Sequence, residues 1–163
     1  MKPSLTLPPD IVSPQDLAAL LFEIRQYNAW YQSEVIKSRV ELSSQAIPPK
    51  ISKTAVGILD SVAKDGRLSP EALEALIQGL ERLKRTSPTI TITLADLPTN
   101  ALRSTLAEWC RANIAPTILV QFTSNRRILG GMVVRYGSRI YDWSFRTKLL
   151  ANKAAIPEVL HRV

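Results

Sequence analysis

The stretch Gly130-Gly131-Met132-Val133-Val134-Arg135-Tyr136-Gly137-Ser138-Arg139-Ile140-Tyr141-Asp142-Trp143-Ser144-Phe145-Arg146 decides the fold of the second half of this chain. Two adjacent glycines let the backbone turn sharply into the next segment and accept a neighbouring strand at close range. Gly131 to Tyr136 then reads as a strand. Gly137-Ser138 is a Gly-X pair suited to a two-residue type II′ hairpin loop, because glycine tolerates the positive φ at its first position. Arg139 to Tyr141 returns as a second strand. With that loop, Tyr136 faces Arg139 and Val133 faces Asp142, which puts Arg135 and Asp142 on one face as diagonal neighbours and predicts an ion pair between them. Asp142 or Ser144 is placed to accept from the first free N–H groups of a closing helix, expected from Trp143 to about Asn152.

Working back from the hairpin, Thr117 to Thr123 reads as another strand, and Ser124-Asn125-Arg126 is turn chemistry. Thr89-Ile90-Thr91-Ile92-Thr93-Leu94 alternates strictly, with isoleucines expected inward and threonines outward. Between these two strands a helix from about Asn100 to Asn113 is expected to bury Leu102, Leu106 and Trp109. A helical crossover makes such strands parallel neighbours. The order is β-α-β-β-β-α, and a block this small leaves apolar surface for something else to cover.

Along the chain the hydrophobic period changes at Ser87-Pro88 from 3.6 to 2, so residues 1–86 form a helical region and residues 87–163 an α/β domain; the fold class is α+β. Ser13, Ser52 and Ser69 each stand at a helix start, bracketed by the apolar pairs Val12 and Leu17, Ile51 and Val56, Leu68 and Leu73. Three helices follow, over about Pro14 to Ser44, Lys53 to Lys64 and Pro70 to Arg85. The third carries Leu73, Leu76, Ile77, Leu80 and Leu83 on one core stripe. The first is long, about 45 Å at 1.5 Å per residue. Its Leu17, Leu21, Ile24, Tyr31, Val35 and Leu42, with Asn28 and Ser38 as polar exceptions, follow four-and-three spacing. That stripe has two readings, a seam for a partner helix and an amphipathic face covering the region's own core.

The chain is basic, with a net charge of +7 that is unevenly distributed. Through Arg85 there are 11 Lys and Arg against 10 Asp and Glu; from Thr86 onward the figures are 10 against 4. Such a surface attracts acidic proteins, nucleic acid or anionic headgroups. An RNA-recognition sheet, however, would carry aromatics centrally where the first strand has threonines, and no Gly-x-x-Gly loop is present. A basic nucleic-acid-binding module is thus the second reading of the chain.

Chemistry finds no foothold. The single Cys110 falls in mid-helix beside Trp109, the position of a small core hydrophobe, and the single His161 lies near the C-terminus. Together they make no zinc set, and no phosphate loop or dinucleotide fingerprint occurs, so no cofactor and no metal is expected. One cysteine fits a reducing, cytoplasmic compartment. Prolines 3, 8 and 9 interrupt any signal-peptide core, and no apolar run approaches the ~18 residues a membrane span needs.

The residues Gly130, Gly131, Arg135, Gly137, Asp142, Ser144 and Arg146, with Leu149 after them, resemble the signature of the delta subunit of the F-type ATP synthase, the family that includes the oligomycin-sensitivity-conferring protein. In that family the C-terminal domain reads Gly-Gly, an Arg-x-Gly hairpin, then Asp-x-Ser-x-Arg into a helix. The resemblance covers roughly the last half of the chain. It implies a non-catalytic stator subunit of a proton-translocating complex, which joins the catalytic head to the peripheral stalk and meets the membrane only through partners. It further implies that the C-terminal domain meets the stalk's b subunit, with the alpha subunits of the head as a second contact. The family's larger N-terminal bundle makes the alpha contact; only three helices precede Ser87 here, so that surface is not carried over residue by residue. The long first helix could instead run alongside the stalk.

Overall fold

The computed structural model describes residues 7–39, 47–63 and 68–153. The chain divides into two compact units, Met1–Ser87 and Pro88–Val163.

In the first unit, α1 (Pro14–Arg39), α2 (Lys53–Val62) and α3 (Pro70–Thr86) start where the serines stand. Ser52 Oγ accepts from Ala55 N at 3.2 Å and Ser69 Oγ from Ala72 N at 3.1 Å. Ser13 and Asp16 cap reciprocally: Ser13 Oγ accepts from Asp16 N at 3.2 Å, and the Asp16 carboxylate accepts from Ser13 N at 2.8 Å. Leu73, Leu76 and Leu80 of α3 are buried as their stripe predicts. Polar contacts fix the helices to one another. Glu23 accepts from both the backbone N–H and the hydroxyl of Ser52, at 2.9 and 2.6 Å, so α1 holds the start of α2. Tyr31 donates to the Leu68 carbonyl just before α3, and Arg25 pairs with Glu81.

The stripe on α1 resolves into its two readings along its length. Leu17, Leu21 and Ile24 are buried inside the unit, as an amphipathic face covering the region's own core would be. The physical reason is supplied by α3, whose leucine face packs against α1, and by the lead-in residues Leu7, Ile11 and Val12, which are also buried. Tyr31 and Val35 are half-buried, and Leu42 lies outside the described residues.

In the second unit, β1 (Thr89–Leu94), α4 (Asn100–Asn113), β2 (Leu119–Ser124), β3 (Met132–Tyr136), β4 (Arg139–Asp142) and α5 (Phe145–Ala151) keep the order read from the sequence. The four strands form one sheet in the order β2-β1-β3-β4. β1 is parallel to β2 and antiparallel to β3, and β3 is antiparallel to β4. Ile90 and Ile92 are buried on one face. The other face carries threonines, with the Thr93 and Thr123 hydroxyls 2.9 Å apart. Gly137 has φ +57° while Ser138 does not adopt a positive φ, as a type II′ loop requires.

Two expectations fail here. α4 turns Ala107 and Cys110 onto the sheet, while Leu102 and Trp109 are exposed and Leu106 is half-buried. Small side chains let the helix lie close to the strands, and the large ones are displaced to its flank. Arg135 and Asp142 do share a sheet face, in register with Ile140 and Val133, but they form no ion pair. The Asp142 carboxylate is turned along its own chain, accepting from Ser144 N at 2.9 Å and from Thr147 Oγ1 at 2.8 Å. A cap so close in sequence costs less ordering than a cross-strand pair of long side chains.

Candidate functional site

The family motif falls into two physical groups. Gly130, Gly131, Gly137, Asp142 and Ser144 build the fold. Gly131 has φ +74°, and a Cβ there would lie 2.3 Å from the Trp143 carbonyl oxygen; at Gly130, φ +136°, it would meet the Phe145 ring at 2.7 Å. The glycine pair thus lets the link between β4 and α5 cross directly over the entry to β3. Trp143 N donates to Met132 O at 2.9 Å and Phe145 N to Gly130 O at 3.0 Å, fixing that crossing. Ser144, almost fully buried, accepts from Thr147 N and caps α5. Hydrogen bonds from Ser144 and then Thr147 hold the Asp142 carboxyl below the usual carboxylate range, and the charge of Arg146 adds to this. Arg135, Arg146 and Leu149 form the second group: all three are exposed, and Arg146 contributes to the cap through its charge near Asp142.

A concavity of the second unit follows from the misfit between one helix and four strands. α4 packs on β2, at one edge of the sheet, and Arg103 lies over the Phe122 ring of β2, 5.7 Å from its centroid. The same sheet face continues across β1 and β3 to β4 without a second helix over it. What remains is a groove of about 530 Å³. Its floor is Ile90, Ile92, Met132 and Val134; its walls are Leu106, Trp109, Cys110 and Ile114 on one side and Tyr136, Tyr141 and Trp143 on the other. Tyr141 and Trp143 stack with centroids 5.8 Å apart and planes 18° from parallel. Trp109 is 58% exposed and Trp143 53%. Two tryptophans facing solvent across an aliphatic floor are a costly arrangement for an isolated unit, and large apolar patches of this kind mark association surfaces.

Cys110 is the thiol on the groove wall. Burial pushes its thiol pKa up, so at neutral pH it is a packed hydrophobe rather than a thiolate. Among the described residues there is no cluster of three or more His, Cys, Asp or Glu able to hold a metal, and no helix is long and apolar enough to cross a membrane. His161 lies outside the described residues.

Two structural glycines, an aspartate-serine cap and an open apolar groove thus characterise the second unit, and known proteins share its sequence pattern. The family described as ATP synthase delta (OSCP) subunit matches residues 15–156. The chain belongs to that family. The match reaches well beyond the C-terminal motif, through most of the helical unit. Among curated relatives, the ATP synthase subunit delta of Zymomonas mobilis is 32% identical over 117 residues, which are 69% of this chain and 63% of that one. The subunit delta of Fuscovulum blasticum is 31% identical over 90 residues, 55% of this chain and 48% of its own length. That of Roseobacter denitrificans is 26% identical over 148 residues, 88% and 79% of the two chains. The match thus spans about half the length of the Fuscovulum protein and four-fifths of the Roseobacter one. Each of these relatives is described as the delta subunit of an ATP synthase.

Sequence reasoning found the motif and missed the groove. Leu106 and Trp109, expected in the core, stand on its wall, and the advance signal was that a block this small leaves apolar surface to be covered.

Proposed function

We propose that this delta-family chain is the adaptor between the catalytic head and the peripheral stalk, and that the groove of its second unit receives an amphipathic helix of the stalk's b subunit. The observation that carries this reading is the apolar groove with Trp109 and Trp143 exposed on opposite walls. A helix with side chains is about 10 Å across, and an apolar trough rimmed by aromatics is a recurrent receptor for one helix face. The Tyr136 and Tyr141 hydroxyls and the tryptophan N–H groups supply polar edges at which the partner's flanking side chains can be satisfied. The helical unit, residues 1–86, is the surface offered to the alpha subunits of the head, and residues 87–163 act as the stalk domain. Leu17, Leu21 and Ile24 are buried in the unit's own core, which supports assigning the stalk contact to the groove in this reading. The chain then sits on the cytoplasmic side and reaches the membrane only through its partners.

The test is titration calorimetry of the full chain against the soluble part of the b subunit from the same organism. Trp109→Ala combined with Trp143→Ala should weaken binding by at least ~30-fold, since each is placed as a central aromatic anchor of the kind that contributes about 1–2 kcal/mol or more. Thr93→Ala, on the opposite sheet face, should change it less than about twofold. Equal affinity for the double variant and the parent refutes the groove as the stalk site.

A further inference from the structure

α5 is a helix that buries none of its residues. It is seven residues long and is held to the unit from its first turn, by the Ser144 cap, the Asp142 carboxylate and the Phe145 N–H to Gly130 carbonyl bond. Helices this short are not stable in water on propensity alone. Phe145 and Leu149 stand four positions apart, so they share one face, and both are about half exposed. Leu150 is more exposed still.

The apolar surface continues past the helix. Phe145 lies against the place where Gly130 lacks a side chain, and the next residue back is Leu129, which is 62% exposed with φ +63°. A leucine in the left-handed region is strained, and one that is also solvent-exposed gains nothing from the core in return. Around this apolar strip the charge is predominantly positive, with Asp142 near Arg146 and Asp96 near Arg126 as the carboxylates set against it. Arg146 and Lys148 are exposed on α5, and α5 packs beside the turn that carries Arg126 and Arg127. Asp96, in the link between β1 and α4, has a carboxylate oxygen 3.9 Å from Arg126.

We infer that α5 and the adjoining turn at Leu129 form a second docking surface, separate from the groove, for an acidic amphipathic segment of a partner protein. The apolar strip of Phe145, Leu149 and Leu129 takes the partner's hydrophobic side chains, and Arg146, Lys148, Arg126 and Arg127 take its flanking carboxylates. Charge complementarity selects the acidic class, and the guanidinium groups suit bidentate carboxylates. The strip is about 10 Å of helix, too short to embed as an interfacial membrane anchor, whereas it matches two turns of a facing helix. The inference uses Arg146 and Leu149, exposed residues of the motif, and none of the residues that line the groove.

The experiment is site-specific photo-crosslinking in the assembled complex, in cells that make the full chain, with Leu149 replaced by p-benzoylphenylalanine and the cross-linked site mapped by mass spectrometry. The expected product is a segment of a second protein with acidic residues flanking an apolar face, cross-linked at least fivefold less when Arg146→Glu and Lys148→Glu are added. The mapped segment, made as a peptide, should bind the purified full chain, bind at least tenfold more weakly after Lys replaces its Asp and Glu, and bind Trp109→Ala as well as the parent. Thermal melting of every variant checks folding, and a variant melting more than a few degrees low is replaced by Arg146→Gln with Lys148→Gln. Cross-links into the chain's own residues, a second copy, lipid or nucleic acid, yield that ignores the charge reversals, or no cross-link at all, each overturn the inference. Loss of peptide binding in Trp109→Ala would assign the segment to the groove and overturn it as well.

Discussion

Replacing Gly131 by alanine should destabilise the second unit by about 3–4 kcal/mol, a large share of the ~5–15 kcal/mol that holds a domain folded. Two costs combine. At φ +74° a side chain adds roughly 1–2 kcal/mol of left-handed strain. The new Cβ would also lie 2.3 Å from the Trp143 carbonyl oxygen, a backbone atom that cannot swing aside as a side-chain tip could. Relief requires the β4–α5 link to move by roughly 1 Å to restore normal van der Waals separation. That movement pulls on the Trp143 N to Met132 O and Phe145 N to Gly130 O bonds, each contributing about 1 kcal/mol net. Urea unfolding followed by tryptophan fluorescence is a suitable assay, since Trp109 and Trp143 both lie in this unit. Gly57→Ala provides the control: it sits inside α2 with open space around it, and alanine there should stabilise by up to about 1 kcal/mol. If Gly131→Ala unfolds within 1 kcal/mol of the parent, the glycine pair is not where the β4–α5 link crosses β3.

Two further outcomes concern titrating groups. The folded-state pKa of Asp142 lies below its unfolded value, so its contribution is complete above the unfolded value of about 4 and is lost as pH falls through the folded one. The stability gap between the parent and Asp142→Asn, measured by urea titration, should therefore be largest above pH 5 and shrink toward pH 3; a gap independent of pH would contradict the capping role. Cys110, buried with a raised thiol pKa, should react with Ellman's reagent at pH 8 at least tenfold more slowly than free cysteine, and at a rate that urea restores. Fast labelling of the folded chain would mean that α4 is not seated on the sheet as described.

Much of the fold was legible because it is written in local terms. The alternation of Thr89 to Leu94, the serine caps, the Gly137-Ser138 loop and the helix over Asn100 to Asn113 are each set by neighbours in sequence, and each element formed where its residues placed it. The family motif was legible for the same reason, since its glycines and its aspartate-serine cap act within one hairpin and one helix start.

The residues that matter at the surface were not legible, because the direction of a side chain depends on what packs against its element. Periodicity showed that α4 is amphipathic, but the packing of α4 on β2, with Ala107 and Cys110 buried, decided that Trp109 would stand on a groove wall. In α1 the same leucine spacing fits a partner seam and an internal core equally well, and α3 together with Leu7 and Ile11 settled Leu17, Leu21 and Ile24 as core. The face shared by Arg135 and Asp142 followed from strand register, whereas their pairing did not, because Ser144 and Thr147 offered the carboxylate nearer donors. The amino-acid order by itself determined the elements and their turns, since those are fixed by steric and capping preferences a few residues long. Only the packed structure decided which apolar side chains are left for a partner, since burial is a competition among elements distant in sequence for a sheet face that one helix alone cannot cover.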